Sequence, residues 1–260
     1  MKPYSTFHLI MIFLGSLVLL FIIAPLAGLF LQSGSDEIVD TLRDEEVLKS
    51  IRLTMFTAMI ATLLGAVSAI PLAYVLSRRT TPFKNVINAI VDIPVVIPHS
   101  AAGIALLGVL SRHSVLGGTL NQLGLDFIGH PLGISMAMAF VSVPFLINAA
   151  RDGFAAVPIR LEKAALSLGA SPLRVFFTVS LPLARRSIVT GLIMMFARGM
   201  SEFGAVIFIA YHPMITPILI FERFNAFGLK YARPVAFVFV VVCLIFFIAV
   251  RHVSKKRSHV

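Results

Sequence analysis

Six long stretches of this chain carry almost no charge: Leu9–Phe30, Thr54–Leu76, Ala89–Leu110, Ile134–Ala150, Ile188–Ala210 and Pro234–Val250. Apolar runs of about 17–25 residues are long enough, as helix, to cross about 30 Å of hydrocarbon. Each run therefore predicts a membrane-spanning helix. The third contains Asp92, and the fifth contains Arg198 and Glu202. The fourth and sixth are short and extend into their flanks. The first run is longer than the ~7–15 residues of a signal-peptide core. It ends in Leu29, Phe30, Leu31 and Gln32 with no clear small-residue cleavage site, so it reads as a retained helix.

Composition supports this reading. Hydrophobic residues make up 58% of the 260 residues, charged residues 13%, and the mean hydropathy is +0.95. Soluble domains carry about 45–50% apolar and about 25% charged residues, so a soluble globular fold is set aside, and so is disorder. Cys243 is the one cysteine, which excludes a disulfide scaffold. The net charge of +10 raises the question of nucleic acid. The placement of the cations answers it. With the N-terminus inside, the inner connections hold Lys2, Arg78, Arg79, Lys84, Arg151, Arg160, Lys163, Arg174, Arg185, Arg186, Arg251, Lys255, Lys256 and Arg257. The outer ones hold Arg43, Lys49, Arg52, Arg112, Arg223, Lys230 and Arg233, along with the acidic cluster Asp36, Glu37, Asp40, Asp44, Glu45 and Glu46. This is the asymmetry of a membrane topology. It predicts cytoplasmic termini in a multi-pass cell-membrane protein and removes the need for a nucleic-acid partner. Tyr4, Tyr74, Tyr211 and Tyr231 all fall at predicted helix ends, where amphipathic rings favour the membrane interface. The expected fold class is an all-α membrane protein, a single transmembrane domain over 1–260 with a connecting loop at 151–187.

That loop is patterned. Pro158 suits a first helical turn, and Ile159, Leu161, Ala164, Ala165 and Leu168 form an apolar stripe at helical spacing. Gly169 stands where a C-terminal cap belongs. Ser171 then caps a second helix that has Pro172 in its first position. Leu181-Pro182 is expected to interrupt that helix before the fifth run. The product is a helix–Gly–helix elbow at 158–182. Its small residues would let another backbone approach closely; the alternative is an interfacial helix on lipid head groups.

The run from Lys163 to Pro182 resembles the EAA loop of ABC-importer permeases. That signature is E-A-A, three residues, G, nine residues, I, one residue, L-P. The matching positions hold Lys163, Ala164 and Ala165, then Gly169, then Val179, then Leu181-Pro182. Lys163 stands where the signature has Glu, and the neighbouring acid is Glu162. In the fifth run, Arg198 to Ala205 (RGMSEFGA) resembles the S-x-G-E-F-G-A stretch of the sulfate, molybdate and tungstate permeases. Pro94 to Gly103 (PVVIPHSAAG) resembles that group's proline-rich stretch. Length and overall pattern are nearest to the molybdate/tungstate branch. The resemblance implies a homodimer whose dimer axis carries the path. It implies two separate ATPase subunits, which carry ATP-Mg and dock on the elbows from the cytoplasm. It also implies an extracytoplasmic protein that delivers the oxyanion. Glu162, Lys163, Ala164, Ala165, Leu168, Gly169, Ala170, Ser171 and Pro172 are then the coupling residues. A sulfate/thiosulfate permease is the alternative, with an ion-coupled secondary transporter behind it.

The residues of the path are harder to read. Arg198 and Glu202, four apart, share one face of a helix. Ionisable groups at membrane depth face a bundle interior or a cavity, so the pair lies beside the path or braces span five against a neighbour; the brace is the more ordinary role. Pro94 and Pro98 should kink the third run, and His99 and Ser100 follow. A single His there is more often a hydrogen-bonded core residue than a relay. Ser201, Phe203 and Gly204 could narrow a pore. Asp92 is expected to cap or pair near the inner boundary. The chain has no G-x-x-x-x-G-K-[ST] loop for ATP, no H-E-x-x-H and no Cys/His metal set. It is read as a translocation subunit with no cofactor of its own, not an enzyme.

Overall fold

The computed structural model describes residues 6–79 and 82–256, with side chains through residue 249. Lys2, Tyr4 and Arg257 lie outside the described residues, as do the side chains of Arg251, Lys255 and Lys256. Every element among the described residues is helical. Helix α1 (Thr6–Leu31) leads to a short α2 (Ser35–Arg43) and a long α3 (Glu45–Arg78). Next come α4 (Lys84–Val96), α5 (His99–Leu110), α6 (Val115–Gln122) and α7 (Pro131–Ala155). The elbow is α8 (Ile159–Ser167) and α9 (Pro172–Val175). A π-helical turn, Phe176–Ser180, joins α9 to α10 (Leu181–Met200). Helices α11 (Val206–Ile209), α12 (Thr216–Phe227) and α13 (Leu229–Lys256) complete the chain. Five stretches are long and apolar enough to cross a membrane, or six if the bent pair α4–α5 counts as one.

The packed centre is α3, α7 and α10. Helices α3 and α7 run parallel: the Thr57 hydroxyl lies 3.4 Å from Met138 Sδ toward one end, and the Tyr74 and Phe154 rings meet at 5.3 Å toward the other. Helix α10 runs against them, with Gly153 beside Ser187 and Gly199 beside Ala58 and Met138. Lipid tails are as apolar as Leu, so helices in a membrane associate through close packing of small residues rather than through a hydrophobic drive. Here Ala58, Ala61, Gly65, Ala69 and Ala73 repeat at three- and four-residue intervals on the buried face of α3. At Gly153 the approach is close enough that a Cβ would sit 2.5 Å from that of Ser187. In contrast, α1 has no buried residue and meets α13 through Phe30 on Phe237 and an Arg233–Gln32 carbonyl bond of 2.7 Å.

Three expectations need correction. The third run is broken rather than kinked: α4 and α5 are bent by 108° at Ile97-Pro98. Proline cannot donate to the helix ladder, and the chain turns extended at Ile97 and Pro98 before α5 begins. The fifth run does not remain helical to Ala210, because α10 stops at Met200. Nor does Leu181-Pro182 interrupt the helix. The Leu181 N–H reaches back five residues to the Phe176 carbonyl, and the wider π turn accepts Pro182 without the i−4 clash of a regular helix. Asp92 does pair as expected, accepting a 2.8 Å hydrogen bond from Asn148 Nδ2.

At the end of the molecule where α3 begins, Asp44 caps that helix through the Glu46 and Val47 N–H groups and accepts a 2.6 Å bond from Arg223 Nη2. Hydroxyls of Ser50, Thr54 and Thr216 cluster nearby and join α12 to α3. Partial burial pushes the Asp44 pKa up, but the bonds from Arg223 and the backbone outweigh it and hold the carboxyl below its usual range. A depressed carboxylate stabilises the fold above its unfolded pKa and loses that contribution as pH falls through the folded one. Acid unfolding followed by thermal midpoint should therefore be shallower below about pH 4 in Asp44→Asn. Gly153→Leu should overpack the α7–α10 crossing by about 1–3 kcal/mol and lower the thermal midpoint in detergent at every pH.

Candidate functional site

The elbow forms as its sequence dictates. Helix α8 ends in a Schellman turn: the Gly169 N–H donates to the Leu166 carbonyl at 2.9 Å, and the Ala170 N–H to the Ala165 carbonyl at 3.1 Å. Gly169 has φ +87°, and open space surrounds its Cα, so glycine is required here by backbone conformation and not by crowding. Ser171 Oγ accepts from the Arg174 N–H at 3.3 Å, with Pro172 in the first turn of α9. Val175 of the elbow is buried and Phe176 packs on Tyr74, but several other apolar residues are left uncovered within the chain. Leu168 is 88% exposed, and Ile159, Leu161, Leu166, Leu173 and Phe177 are exposed as well. Lys163, Ala164, Gly169, Ser171 and Pro172 also face outward, while Ala165 and Ala170 are half-buried.

Glu162 does the opposite. It is 7% exposed and turned into the protein. Its carboxylate accepts two bonds from Arg78 Nε, at 3.0 and 2.9 Å, and one from Arg78 Nη2 at 2.7 Å. Ser180 Oγ adds a fourth at 2.6 Å, and Arg78 Nη2 also reaches the Val157 carbonyl at 3.2 Å. The last turn of α3 is thus tied to both arms of the elbow. Lys163 carries none of this, so the acid that matters structurally stands one position before the signature's Glu. The sequence offered a faint signal: Glu162 is the one acid between Arg160 and Arg186.

The second constellation lies where α4–α5 break and α10 ends. His99 Nδ1 lies 2.7 Å from Glu202 Oε2, and Arg198 Nη2 lies 3.0 Å from the same oxygen. Arg198 Nη2 is also 2.8 and 2.9 Å from the two ring nitrogens of His99. The Ala205 N–H donates to Glu202 Oε1 at 2.8 Å. With His99 Nδ1–H donating to Glu202, Nε2 is the ring nitrogen that can accept from Arg198, and the approach of Arg198 Nη2 to Nδ1 is a contact between two donors, not a hydrogen bond. Gly204 lets the two segments touch, since a Cβ there would lie 2.7 Å from that of His99. Gly103 on α5 likewise abuts the Ala205 carbonyl. The distance from Lys84 to His99 along α4, and from Arg186 to Glu202 along α10, is about 22–24 Å at 1.5 Å per residue. With Lys84 and Arg186 at one membrane boundary, this span is shorter than a hydrocarbon layer of about 30 Å, which puts the cluster at membrane depth.

Of the path candidates, Pro98, His99, Arg198, Ser201, Glu202 and Gly204 come together at this joint, with Ser201 Oγ accepting from Arg198 Nη1 at 3.3 Å. Ser100 is exposed on the first turn of α5, and Pro94 is buried one turn before the break. Phe203 turns elsewhere, its ring tilted against Phe221 of α12 at 5.1 Å and lining an apolar cavity of about 360 Å³ with Leu29 and Phe224. The Arg198–Glu202 pair reaches His99 at the start of α5, and Glu202 lies beyond the end of α10 rather than within it. His99, 103 residues away in the chain, is a partner that spacing could not reveal.

Removing one partner of a buried ion pair leaves an uncompensated charge, at a cost of about 3–5 kcal/mol. Arg78→Met should therefore destabilise the protein more than the double change Arg78→Met with Glu162→Leu. A thermal-shift double-mutant cycle reads the difference as a coupling energy.

Comparison with known proteins agrees with this geometry. The binding-protein-dependent transport system inner membrane component family matches residues 61–259. The molybdate/tungstate transport system permease protein WtpB of Thermococcus kodakarensis is 43% identical over 247 residues, covering 94% of this chain and 95% of that one. A probable sulfate transport system permease protein of Nephroselmis olivacea is 30% identical, covering 92% and 87%. Among solved structures, a bacterial ABC transporter involved in the import of the acidic polysaccharide alginate shares the fold with a TM-score of 0.75 at 19% identity, covering 97% and 96%. The MetNI methionine ABC transporter gives 0.59 at 16% identity, covering 81% and 93%. This chain belongs to the binding-protein-dependent transport system inner membrane components, the permease subunits of ABC importers, and is a multi-pass membrane protein.

Proposed function

We propose that this chain translocates a tetrahedral oxyanion, molybdate or tungstate, by alternating access at the interface of a homodimer. Two separate ATPase subunits dock on the elbows from the cytoplasm, and an extracytoplasmic binding protein delivers the anion to the other side. The observation that carries the coupling half of this reading is the elbow: a rigid, capped turn with Leu161, Leu168, Leu173 and Phe177 left uncovered, in a chain with no phosphate-binding loop of its own. Its anchor, Glu162 on Arg78, gives a path for force. Movement of the docked elbow pulls on the end of α3 and, through the small-residue crossings, on α7 and α10.

The substrate half rests on relatives. Four proteins named as molybdate/tungstate permeases are 36–43% identical along more than nine-tenths of this chain. Sulfate is the second reading, supported by the 30% relative named as a probable sulfate permease. The three anions share charge and shape, so the binding protein supplies most of the selectivity.

Two outcomes test the proposal. Gly169→Leu forces a left-handed backbone on a residue with a Cβ, at about 1–2 kcal/mol. It should abolish anion-stimulated ATP hydrolysis and co-purification of the ATPase while membrane insertion is retained. In liposomes holding the permease and ATPase, binding protein loaded with molybdate or tungstate should stimulate hydrolysis more than the sulfate-loaded form. A larger response to sulfate would transfer the assignment to the sulfate branch, and no response to any of the three would end the oxyanion reading.

A further inference from the structure

The members of the intramembrane joint are enclosed unequally. Glu202 is 1% exposed, whereas the Arg198 side chain is 25% exposed and that of His99 33%. Ser100 and Ser201 beside them are exposed too. A guanidinium edge, an imidazole and two hydroxyls at membrane depth are costly against acyl chains and instead face a water-filled or protein-lined passage.

The two charged residues are held unequally. The Glu202 carboxylate has three partners, and two of them, His99 Nδ1 and the Ala205 N–H, are independent of Arg198. It stays satisfied when the guanidinium turns away. Arg198 is held by Glu202 and His99 through Nη2, while its Nη1 makes only a long 3.3 Å contact with Ser201. The guanidinium is therefore the movable element, and its fork suits two oxygens of a tetrahedral oxyanion.

We propose that Arg198 is a transient contact for a tetrahedral oxyanion in the passage, and that Glu202, fixed by His99 and Ala205, limits how tightly that contact binds. This deepens, and rests on, the oxyanion-permease reading. A lone arginine in a low-dielectric passage would hold a dianion strongly. Conduction requires binding firm enough to admit the ion and weak enough to release it. Glu202 supplies the opposing charge at 3.0 Å, so the anion must compete for a guanidinium that already has a partner.

The test uses the detergent-solubilised permease–ATPase complex without binding protein, probed with radiolabelled sulfate and with tungstate. Glu202→Gln should retain anion at least about tenfold more tightly than the wild type, and adding Arg198→Gln should remove the gain. A second measurement needs no variant: phenylglyoxal labelling of Arg198, with peptide mass spectrometry as the readout. Tungstate or sulfate should slow the labelling relative to chloride at equal ionic strength. Labelling indifferent to the anion, or a retention gain that survives Arg198→Gln, overturns the proposal and leaves the joint a brace. The liposome ATPase assay scores the oxyanion reading separately, since failure there does not alter whether an anion shields Arg198.

Discussion

A helix that stops inside hydrocarbon leaves its terminal backbone groups, and any charge beside them, with no water to turn to. This chain has two such stops at the same depth: the turn at Ile97-Pro98 that starts α5, and the end of α10 at Met200. Each makes the other possible. Glu202 receives the Ala205 N–H, reaches His99 at the start of α5 and neutralises Arg198 on the last turn of α10. Gly204 and Gly103 remove the side chains that would keep the two segments apart. Polar satisfaction and close backbone approach are one requirement here, and the non-helical stretch from Ser201 to Ala205 is held by the partners Glu202 finds in His99, Arg198 and the Ala205 N–H.

The other end of the machine is governed by the same rule in a wetter setting. Arg78 and Glu162 are nearly enclosed, and every oxygen of the carboxylate is bonded. That fixes the elbow against α3, so its exposed apolar face is presented at a defined angle instead of swinging on a loop. Between the two ends, the small residues of α3, α7 and α10 make a rod-like connection with little slack. Interfaces packed in this way shift between discrete arrangements rather than deforming continuously.

Much of this is legible in the sequence, and the failures are informative. Length and apolarity locate α1, α3, α7 and α13, because each contains an apolar run long enough to cross the bilayer. The elbow is legible residue by residue, since Pro158, Gly169, Ser171 and Pro172 act through local backbone geometry. The break after Met200 is hidden: Phe203 and Ala205 through Ala210 are as apolar as a helix interior, and the signal that ends α10 is the long-range contact with His99. Pro98 announces a kink but not a turn of 108°, whose size depends on what α5 packs against. Pro182 points to a break that the π turn absorbs, and no residue in Phe176–Ser180 advertises that turn. Glu162 reads in sequence as a residue turned outward to a partner, and its true mate, Arg78, lies 84 residues earlier.

The π turn also changes how the surface of this helix is mapped. A π turn holds one residue more than the α-helical ladder allows, which rotates the segment before it by about 100° relative to the segment after it. A helical wheel drawn without a break from Pro172 to Met200 therefore assigns the first turn to the wrong side. Leu173 and Phe177 belong to the face the elbow presents, whereas the stripe of Ile188, Met195 and Gly199 belongs to the bundle, and the two stripes keep separate phase. Cysteine scans, labelled-probe positions or designed contacts along this rod should be counted from two origins, one on either side of Ser180.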